Sequence, residues 1–139
     1  MLILLATMGC MRRDLPGTYW GEFDCESALE EGEETCTGEM FVSVPLVSER
    51  RRSFTTLELD GSCGETPVSM REYPTLEWNR VAHRSDITAI YYSLDMSCIP
   101  VSGPPPERCI LSQESWTKVG DELTVDYEPL GCPVRLLKD

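Results

Sequence analysis

Apolar and polar side chains alternate along most of this chain. The longest example runs from Thr88 to Cys98, and the same period of two recurs at residues 40–46, 57–59 and 123–127. A period of two places successive side chains on opposite faces of a β-strand. We expect one apolar face to contain Thr88, Ile90, Tyr92, Leu94, Met96 and Cys98. No stretch of ten or more residues has the period of a helix.

The pattern and the turn residues between its segments predict nine strands. They are placed at 18–25, 37–46, 53–60, 63–71, 75–82, 86–98, 108–118, 122–128 and 131–137. Asp60-Gly61 and Gly120-Asp121 are strong hairpin signals, whereas Tyr73-Pro74 and the stretch at 83–86 are weaker ones.

Short consecutive strands joined by hairpins predict an all-β protein. We expect an antiparallel meander of about eight or nine strands that closes into a small, disulfide-stapled barrel, because closure removes exposed strand edges. A two-sheet β-sandwich is the alternative. The bulky residues assigned to the inner face favour a filled interior; they are Met40, Tyr92, Met96, Trp116 and Tyr127.

Length and charge limit the class of protein. A chain of 139 residues fits one domain with one ordinary core. The formal net charge is −12, from 24 acidic and 12 basic residues. This balance argues against a nucleic-acid partner, which is held through its phosphates by basic side chains.

Seven cysteines are many for a cytosolic protein of this size but normal for an exported one, in which thiols are oxidised to disulfides. Zinc is the competing explanation. The chain has no Cys-x-x-Cys pair and only one histidine, His83, so we predict disulfides and no metal site.

The first residues contain a short apolar run. Residues 2–8 are uncharged, Gly9 and Cys10 follow, and Arg12 and Arg13 come next. Such a run is too short to span a bilayer as a helix. The stretch "LLATMGCMRR" resembles a bacterial lipoprotein signal, in which an apolar segment and small residues precede a cysteine.

That resemblance implies a lipid on Cys10. Residues 1–9 would be a signal peptide that is removed, residues 10–17 a lipidated tether, and residues 18–139 a single β domain. Because Met11 is not aspartate, the resemblance also implies the outer membrane, with the domain facing the periplasm or the exterior. The alternative is a buried N-terminal strand with Cys10 as a small hydrophobic residue.

Setting Cys10 aside leaves an even number of cysteines, as an oxidised domain needs: Cys25, Cys36, Cys63, Cys98, Cys109 and Cys132. These six can pair in many ways, and the sequence alone does not choose among them. Cys25 to Cys36 and Cys98 to Cys109 each enclose ten residues. Our best interpretation is therefore Cys25–Cys36, Cys98–Cys109 and Cys63–Cys132.

The stretch "LPGTYWGEF" at residues 15–23 resembles the opening of lipocalin-type barrels, where a glycine and a tryptophan begin the first strand. In that family a late arginine packs over the tryptophan. The resemblance implies this role for Arg135 beside Trp20. The other interpretation is that Trp20 is an ordinary core or rim aromatic.

Catalytic signatures are weak. Any Ser-His or Cys-His nucleophile system would have to use His83, which lies in a predicted turn beside Arg84 and without a Gly-x-Ser-x-Gly stretch. We therefore expect no enzyme, no catalytic residue and no cofactor.

Two charged stretches remain. Eight carboxylates occur between residues 22 and 39 with no basic residue among them: Glu22, Asp24, Glu26, Glu30, Glu31, Glu33, Glu34 and Glu39. Their spacing does not match a calcium loop, so a solvated loop is the preferred interpretation. Arg50, Arg51 and Arg52 form a basic tip, which either protects a hairpin end or meets an anionic lipid or acidic partner.

These observations predict an exported, membrane-tethered bacterial lipoprotein that acts as a non-catalytic binding or envelope-interaction module. Its expected partners are the membrane, through Cys10, and an unknown protein. One alternative is a lipocalin-like carrier of a small apolar ligand held inside the barrel. A second alternative is a secreted disulfide-rich domain without a lipid anchor.

Overall fold

The computed structural model describes residues 15–27, 34–45, 55–98 and 105–139. It contains nine strands: β1 Gly17–Ser27, β2 Glu34–Val44, β3 Thr56–Cys63, β4 Thr66–Glu72, β5 Thr75–Val81, β6 Arg84–Tyr92, β7 Ile110–Val119, β8 Glu122–Val125 and β9 Val134–Lys138. Three short 3₁₀ turns lie at Met96–Cys98, Glu107–Cys109 and Glu128–Leu130.

All nine strands belong to one antiparallel sheet with the order β4-β3-β2-β1-β9-β8-β7-β6-β5. Within this order β1 pairs with both β2 and β9, and Trp20 of β1 lies opposite Leu137 of β9. The sheet curls into a half-barrel. The predicted all-β, disulfide-stapled meander is therefore confirmed, and the sandwich alternative is not.

The two edges of the sheet are consecutive in the chain. β4 and β5 are separated by Tyr73 and Pro74 only, yet each forms one edge. The chain therefore passes directly from one edge to the other at this point. The amide N–H of Thr55, the residue before β3, donates a hydrogen bond to the carbonyl of Pro74 at 3.2 Å. This bond holds the β4–β5 connection beside the start of β3.

The concave side of the sheet holds the core. Alternate residues of the strands meet there, and the largest of the fully buried side chains are Trp116, Tyr19, Tyr127, Lys118, Leu15 and Met40. The apolar alternation places these residues inside because burying apolar surface is the main favourable term in folding.

Glycines allow β2 and β3 to approach each other closely. Gly38 of β2 lies directly opposite Gly61 of β3. A Cβ atom on Gly38 would overlap the carbonyl oxygen of Asp60 and would lie 2.8 Å from the ring of Phe23. The Phe23 ring thus packs over a stretch of backbone that has no room for a side chain. Glycines in a strand often occur where another group approaches the backbone closely or where a sheet curls.

Most predicted strands lie within a few residues of the observed ones, but the strand predicted at 86–98 is too long. β6 ends at Tyr92, and Met96 is 86% exposed. The predicted face is also wrong, because Ile87, Ala89 and Tyr91 are the alternating buried set. Ile90 is buried as well, so the apolar pattern of this strand fits either phase.

One of the two strong turn predictions is confirmed and the other is wrong. The β7–β8 turn lies at Gly120 and Asp121, where Gly120 has a φ of 59°. At Asp60-Gly61, in contrast, β3 continues to Cys63 and turns only at Gly64. Gly61 lies opposite Gly38 inside the β2–β3 pair, so this glycine marks a close approach of two strands rather than a chain reversal.

The three disulfides are Cys25–Cys132, Cys36–Cys63 and Cys98–Cys109. The prediction of Cys98–Cys109 is confirmed, whereas the predictions of Cys25–Cys36 and Cys63–Cys132 are wrong. The physical reason is strand register. Cys36 lies opposite Cys25 on one side and Cys63 on the other, so sequence spacing could not identify its partner.

Candidate functional site

A row of large apolar side chains crosses the outer, convex face of the sheet. Leu137 of β9 lies opposite Trp20 of β1, which lies opposite Phe41 of β2. Leu137 is 64% exposed, Trp20 40% and Phe41 37%. The rings of Trp20 and Phe41 are 6.4 Å apart and tilted by 48°. We call these three residues the apolar row.

A row of carboxylates lies beside the apolar row, two residues away on β1 and β2 and continuing onto β3, whereas the corresponding residue of β9 is Arg135. Glu22 of β1 lies opposite Glu39 of β2, which lies opposite Asp60 of β3. We call these three residues the acidic row. Glu22 and Glu39 also line a shallow groove of about 590 Å³ that continues to Asp24 and Thr37.

Two basic side chains of the neighbouring strands are engaged elsewhere. Arg71 pairs with Glu58, and the Nε atom of Arg135 lies 3.5 Å from a carboxylate oxygen of Glu122. A hydrogen bond with Tyr73, and after it the charge of Glu58, holds the pKa of Arg71 above its usual value. None of the ion pairs seen among residues 15–27, 34–45, 55–98 and 105–139 includes a carboxylate of the acidic row.

A second candidate site is a cleft at the mouth of the half-barrel. It has a volume of about 340 Å³ and is lined by Glu72, Tyr91, Ser112, Glu114, Tyr127, Glu128 and Pro129. The end of β4, the end of β6, the first half of β7 and the 3₁₀ turn after β8 form its walls. Three of the seven lining residues are carboxylates, so the cleft is polar.

Glu114 is the organising residue of the cleft. Its Oε1 atom accepts hydrogen bonds from the hydroxyl of Tyr91 at 2.8 Å and from Nε1 of Trp116 at 3.1 Å. Its Oε2 atom accepts one from the amide N–H of Glu128 at 2.9 Å. Burial nevertheless raises the pKa of Glu114, because these three bonds do not fully replace the water that the carboxylate has lost.

Two tyrosines respond to the same carboxylates. Burial raises the pKa of Tyr91, and the hydrogen bond to Glu114 raises it further. Burial likewise raises the pKa of Tyr127, with a second contribution from the adjacent carboxylate of Glu72. Both hydroxyls therefore stay protonated and act as donors at neutral pH.

The structure separates several residues that the sequence analysis grouped. Trp20 lies on the outer face of the curled sheet rather than in its core, and Arg135 pairs with Glu122. The lipocalin-like packing of Arg135 over Trp20 is therefore not among the observed contacts and stays a prediction. His83 lies exposed in the turn between β5 and β6.

The acidic stretch is partly strand rather than a loop. Glu22, Asp24, Glu26 and Glu39 are exposed on β1 and β2. Glu30, Glu31 and Glu33 lie outside the described residues, as do Cys10 and Arg50, Arg51 and Arg52. In the described part of the chain, no group of three or more His, Cys, Asp or Glu side chains is arranged to hold a metal ion.

The residues expected to fill the interior do so in part. Met40, Trp116 and Tyr127 are fully buried, whereas Tyr92 is half-buried and Met96 is exposed. Met96 lies in a 3₁₀ turn held by the Cys98–Cys109 disulfide, which takes it out of the sheet.

The sequence analysis missed the buried charged residues of β7. Glu114, Trp116 and Lys118 occupy successive inward positions, and Lys118 donates a hydrogen bond to the carbonyl of Gly120. The sequence did indicate this burial, because in the stretch "ESWTK" Glu114 and Lys118 are each two residues away from Trp116. Residues in phase with a buried aromatic share its face of the strand.

Among the described residues, no helix is long and apolar enough to cross a bilayer. Comparison with known proteins gives no relatives. No protein-family model matches the chain, and no curated protein or solved structure matches it significantly.

Proposed function

We propose that this chain is an exported, non-catalytic binding module, tethered to a bacterial membrane by a lipid on Cys10, that recognises a protein partner through its outer sheet face. The domain then works in the periplasm or at the cell exterior. The disulfides support this setting, because such bonds persist in oxidising compartments.

The observation that carries the binding role is the exposure of the apolar row. Three large apolar side chains from three strands lie side by side in solvent, although an interior of apolar residues is available to the fold. Contiguous exposed apolar surface rimmed by polar residues marks interaction sites in soluble proteins. Aromatic residues are also enriched among those that dominate binding energy.

The binding role can be tested with a photo-reactive amino acid at Leu137. We expect crosslinking in cells to trap one discrete adduct from position 137 and none from position 77, because Glu77 is exposed on β5 away from the apolar row. Equal labelling from both positions would contradict a dedicated outer face.

The anchor requires a separate test, by mass spectrometry of the membrane fraction. We expect a mature chain that starts at a diacylated Cys10, and we expect Cys10→Ser to move the protein out of that fraction. A chain that retains Met1 and a free Cys10 thiol would overturn the anchor. An unmodified chain in the medium would support the secreted alternative instead.

A second candidate function is that of a small-ligand carrier, favoured by the cleft beside Glu114. Its volume falls in the range of small-molecule sites. The three carboxylates suit a polar, hydrogen-bond-donating ligand better than the apolar ligand of a lipocalin-like carrier. A shift of the Trp116 indole N–H resonance with butylamine but not with butyrate or hexane would support this role.

A further inference from the structure

The outer face combines two chemistries in neighbouring rows, and together they define a partner. We propose that the apolar row and the acidic row bind a protein segment that presents a large apolar side chain beside two basic side chains. This proposal rests on the binding role assigned above to the same face and names the chemistry of its partner.

The apolar row supplies the anchoring surface. Trp20 and Phe41 pack with their rings tilted against each other, and Leu137 continues the row on the other side of Trp20. A partner side chain laid across them removes apolar surface from water on both proteins. Since Trp20 is already held by its neighbours, little side-chain entropy is lost when the partner docks.

The acidic row supplies the charge preference. Glu22, Glu39 and Asp60 lie directly opposite one another, and like charges in directly opposed positions destabilise a sheet. No ion pair among those of the described residues joins a basic side chain to this row, and Arg135, two residues from Leu137 on β9, pairs with Glu122 instead. Basic side chains from a partner would relieve this repulsion, so binding stabilises the very strands that carry the row.

The spacing of the rows sets the spacing required of the partner. Trp20 and Glu22 are two residues apart on β1, which separates their side chains by about 7 Å. Side chains two apart on an extended partner segment have the same spacing. The shallow groove beside Glu22 and Glu39 accommodates the aliphatic stem of a lysine or arginine.

A designed peptide tests this chemistry directly. The probe is Ac-Ser-Leu-Ser-Arg-Ser-Arg-Ser-NH2, titrated into the full chain at low ionic strength and followed by NMR of the backbone amide of Gly21, which all the variants below retain. We expect saturable binding that weakens as salt is added. We expect the peptide with glutamate in place of arginine not to bind, and the peptide with serine in place of leucine to bind at least about fivefold more weakly.

Two charge-matched variants distinguish the face from the general negative charge of the protein. Glu22→Gln, Glu39→Gln and Asp60→Asn together remove three charges from the acidic row. Glu65→Gln, Glu77→Gln and Glu107→Gln together remove three exposed charges elsewhere. We expect the first variant to raise the Kd about tenfold and the second to change it less than twofold.

Trp20→Ser tests the apolar row without removing a core residue, because this side chain lies on the outer face. We expect it to weaken binding at least about tenfold while the thermal transition measured by circular dichroism remains cooperative. Leu137→Ser provides a second variant should Trp20→Ser fail to fold.

Several outcomes would overturn the proposal. One is that the two charge variants weaken peptide binding equally, because the peptide would then respond only to the overall negative charge of the protein. Another is binding of phosphatidylcholine vesicles that Trp20→Ser abolishes while the peptide does not bind, since the face would then meet a membrane. The peptide assay needs no lipid on Cys10, so failure of the anchor leaves this result independent.

Discussion

Two physical effects compete at the carboxylate of Glu114. Burial favours its neutral form, whereas hydrogen bonds from Tyr91, Trp116 and the amide of Glu128 favour its charged form. The negative charge of Glu72 acts in the same direction as burial. Because the pKa of Glu114 is raised in the folded protein, burial and this charge outweigh the hydrogen bonds.

Glu114→Gln therefore has a predictable effect on the pH dependence of stability. A raised pKa means that the folded protein binds the proton more tightly than the unfolded chain, whose carboxyl titrates near 4.5. Stability due to Glu114 is then greatest below that pH and is lost as pH rises through the folded pKa. The loss is about 1.4 kcal/mol for each pH unit that separates the folded from the unfolded pKa. The variant lacks this loss.

Urea unfolding of both proteins between pH 4 and 8 measures the effect. We expect the free energy of unfolding of the wild type, minus that of Glu114→Gln, to fall as pH rises from about 4.5 and then to level off. A difference that grows with pH would show that the three hydrogen bonds dominate over burial.

The buried charges of β7 also show where sequence reasoning stops at the scale of residues. Glu114 and Lys118 belong to residue types that are almost never fully buried unless they are paired. Their partners are a tyrosine, an indole, a backbone amide and a carbonyl from several elements. The indole and the carbonyl are only two residues away, but Tyr91 and the amide of Glu128 are identified as partners only once the arrangement of the strands is known.

At the scale of the strand, the glycines of β2 and of the β7–β8 turn make a matched pair of substitutions. A Cβ on Gly38 would overlap the carbonyl oxygen of Asp60 and would lie 2.7 Å from the Cα atom of Gly61. Gly120 adopts a φ of 59°, but a Cβ there meets nothing within 4 Å. Gly38→Ala thus forces two backbones apart, whereas Gly120→Ala only strains a turn.

We expect Gly38→Ala to lower the free energy of unfolding by about 3 kcal/mol, because backbone atoms cannot move aside as a flexible side chain can. Gly120→Ala should cost about 1 kcal/mol, and Gly120→Asn less, because asparagine tolerates the left-handed region. Urea unfolding with the disulfides intact measures both. Equal costs for the two alanine variants would contradict the close backbone approach of Gly38 and Gly61.

The strands themselves follow from the sequence better than their faces or turns do. Alternating apolar and polar residues, with β-branched and aromatic side chains among them, predict which segments form strands. Such a segment can bury all its apolar side chains on one face only as a strand. It does not determine the phase of β6, where Ile90 and Tyr91 are both buried. Nor does it distinguish Gly61 inside a strand from Gly120 in a turn, since each glycine has an aspartate next to it in the sequence.

At the scale of the whole molecule, register also explains why the candidate surface could not be predicted. Trp20, Phe41 and Leu137 lie far apart in the sequence and meet only because β1 pairs with both β2 and β9. Composition could indicate an acidic protein. It could not place the three carboxylates of the acidic row beside that apolar surface.

The three disulfides constrain the chain over very different distances. Cys25–Cys132 joins residues 107 apart and links the end of β1 to the segment before β9, whereas Cys98–Cys109 joins residues 11 apart within one connection. In the chain-entropy model a bridge stabilises the folded state by restricting the unfolded one, and more so for a longer loop.

We therefore expect Cys25→Ala with Cys132→Ala to lower the free energy of unfolding by about 5 kcal/mol, and Cys98→Ala with Cys109→Ala by about 3 kcal/mol. In the first pair Cys25 is buried in the core and Cys132 packs against it, so loss of this bridge leaves a cavity as well. Thermal unfolding of the purified double variants gives the order. A larger loss from the shorter loop would show that local packing around the 3₁₀ turns, rather than restriction of the unfolded chain, dominates the contribution of these bridges.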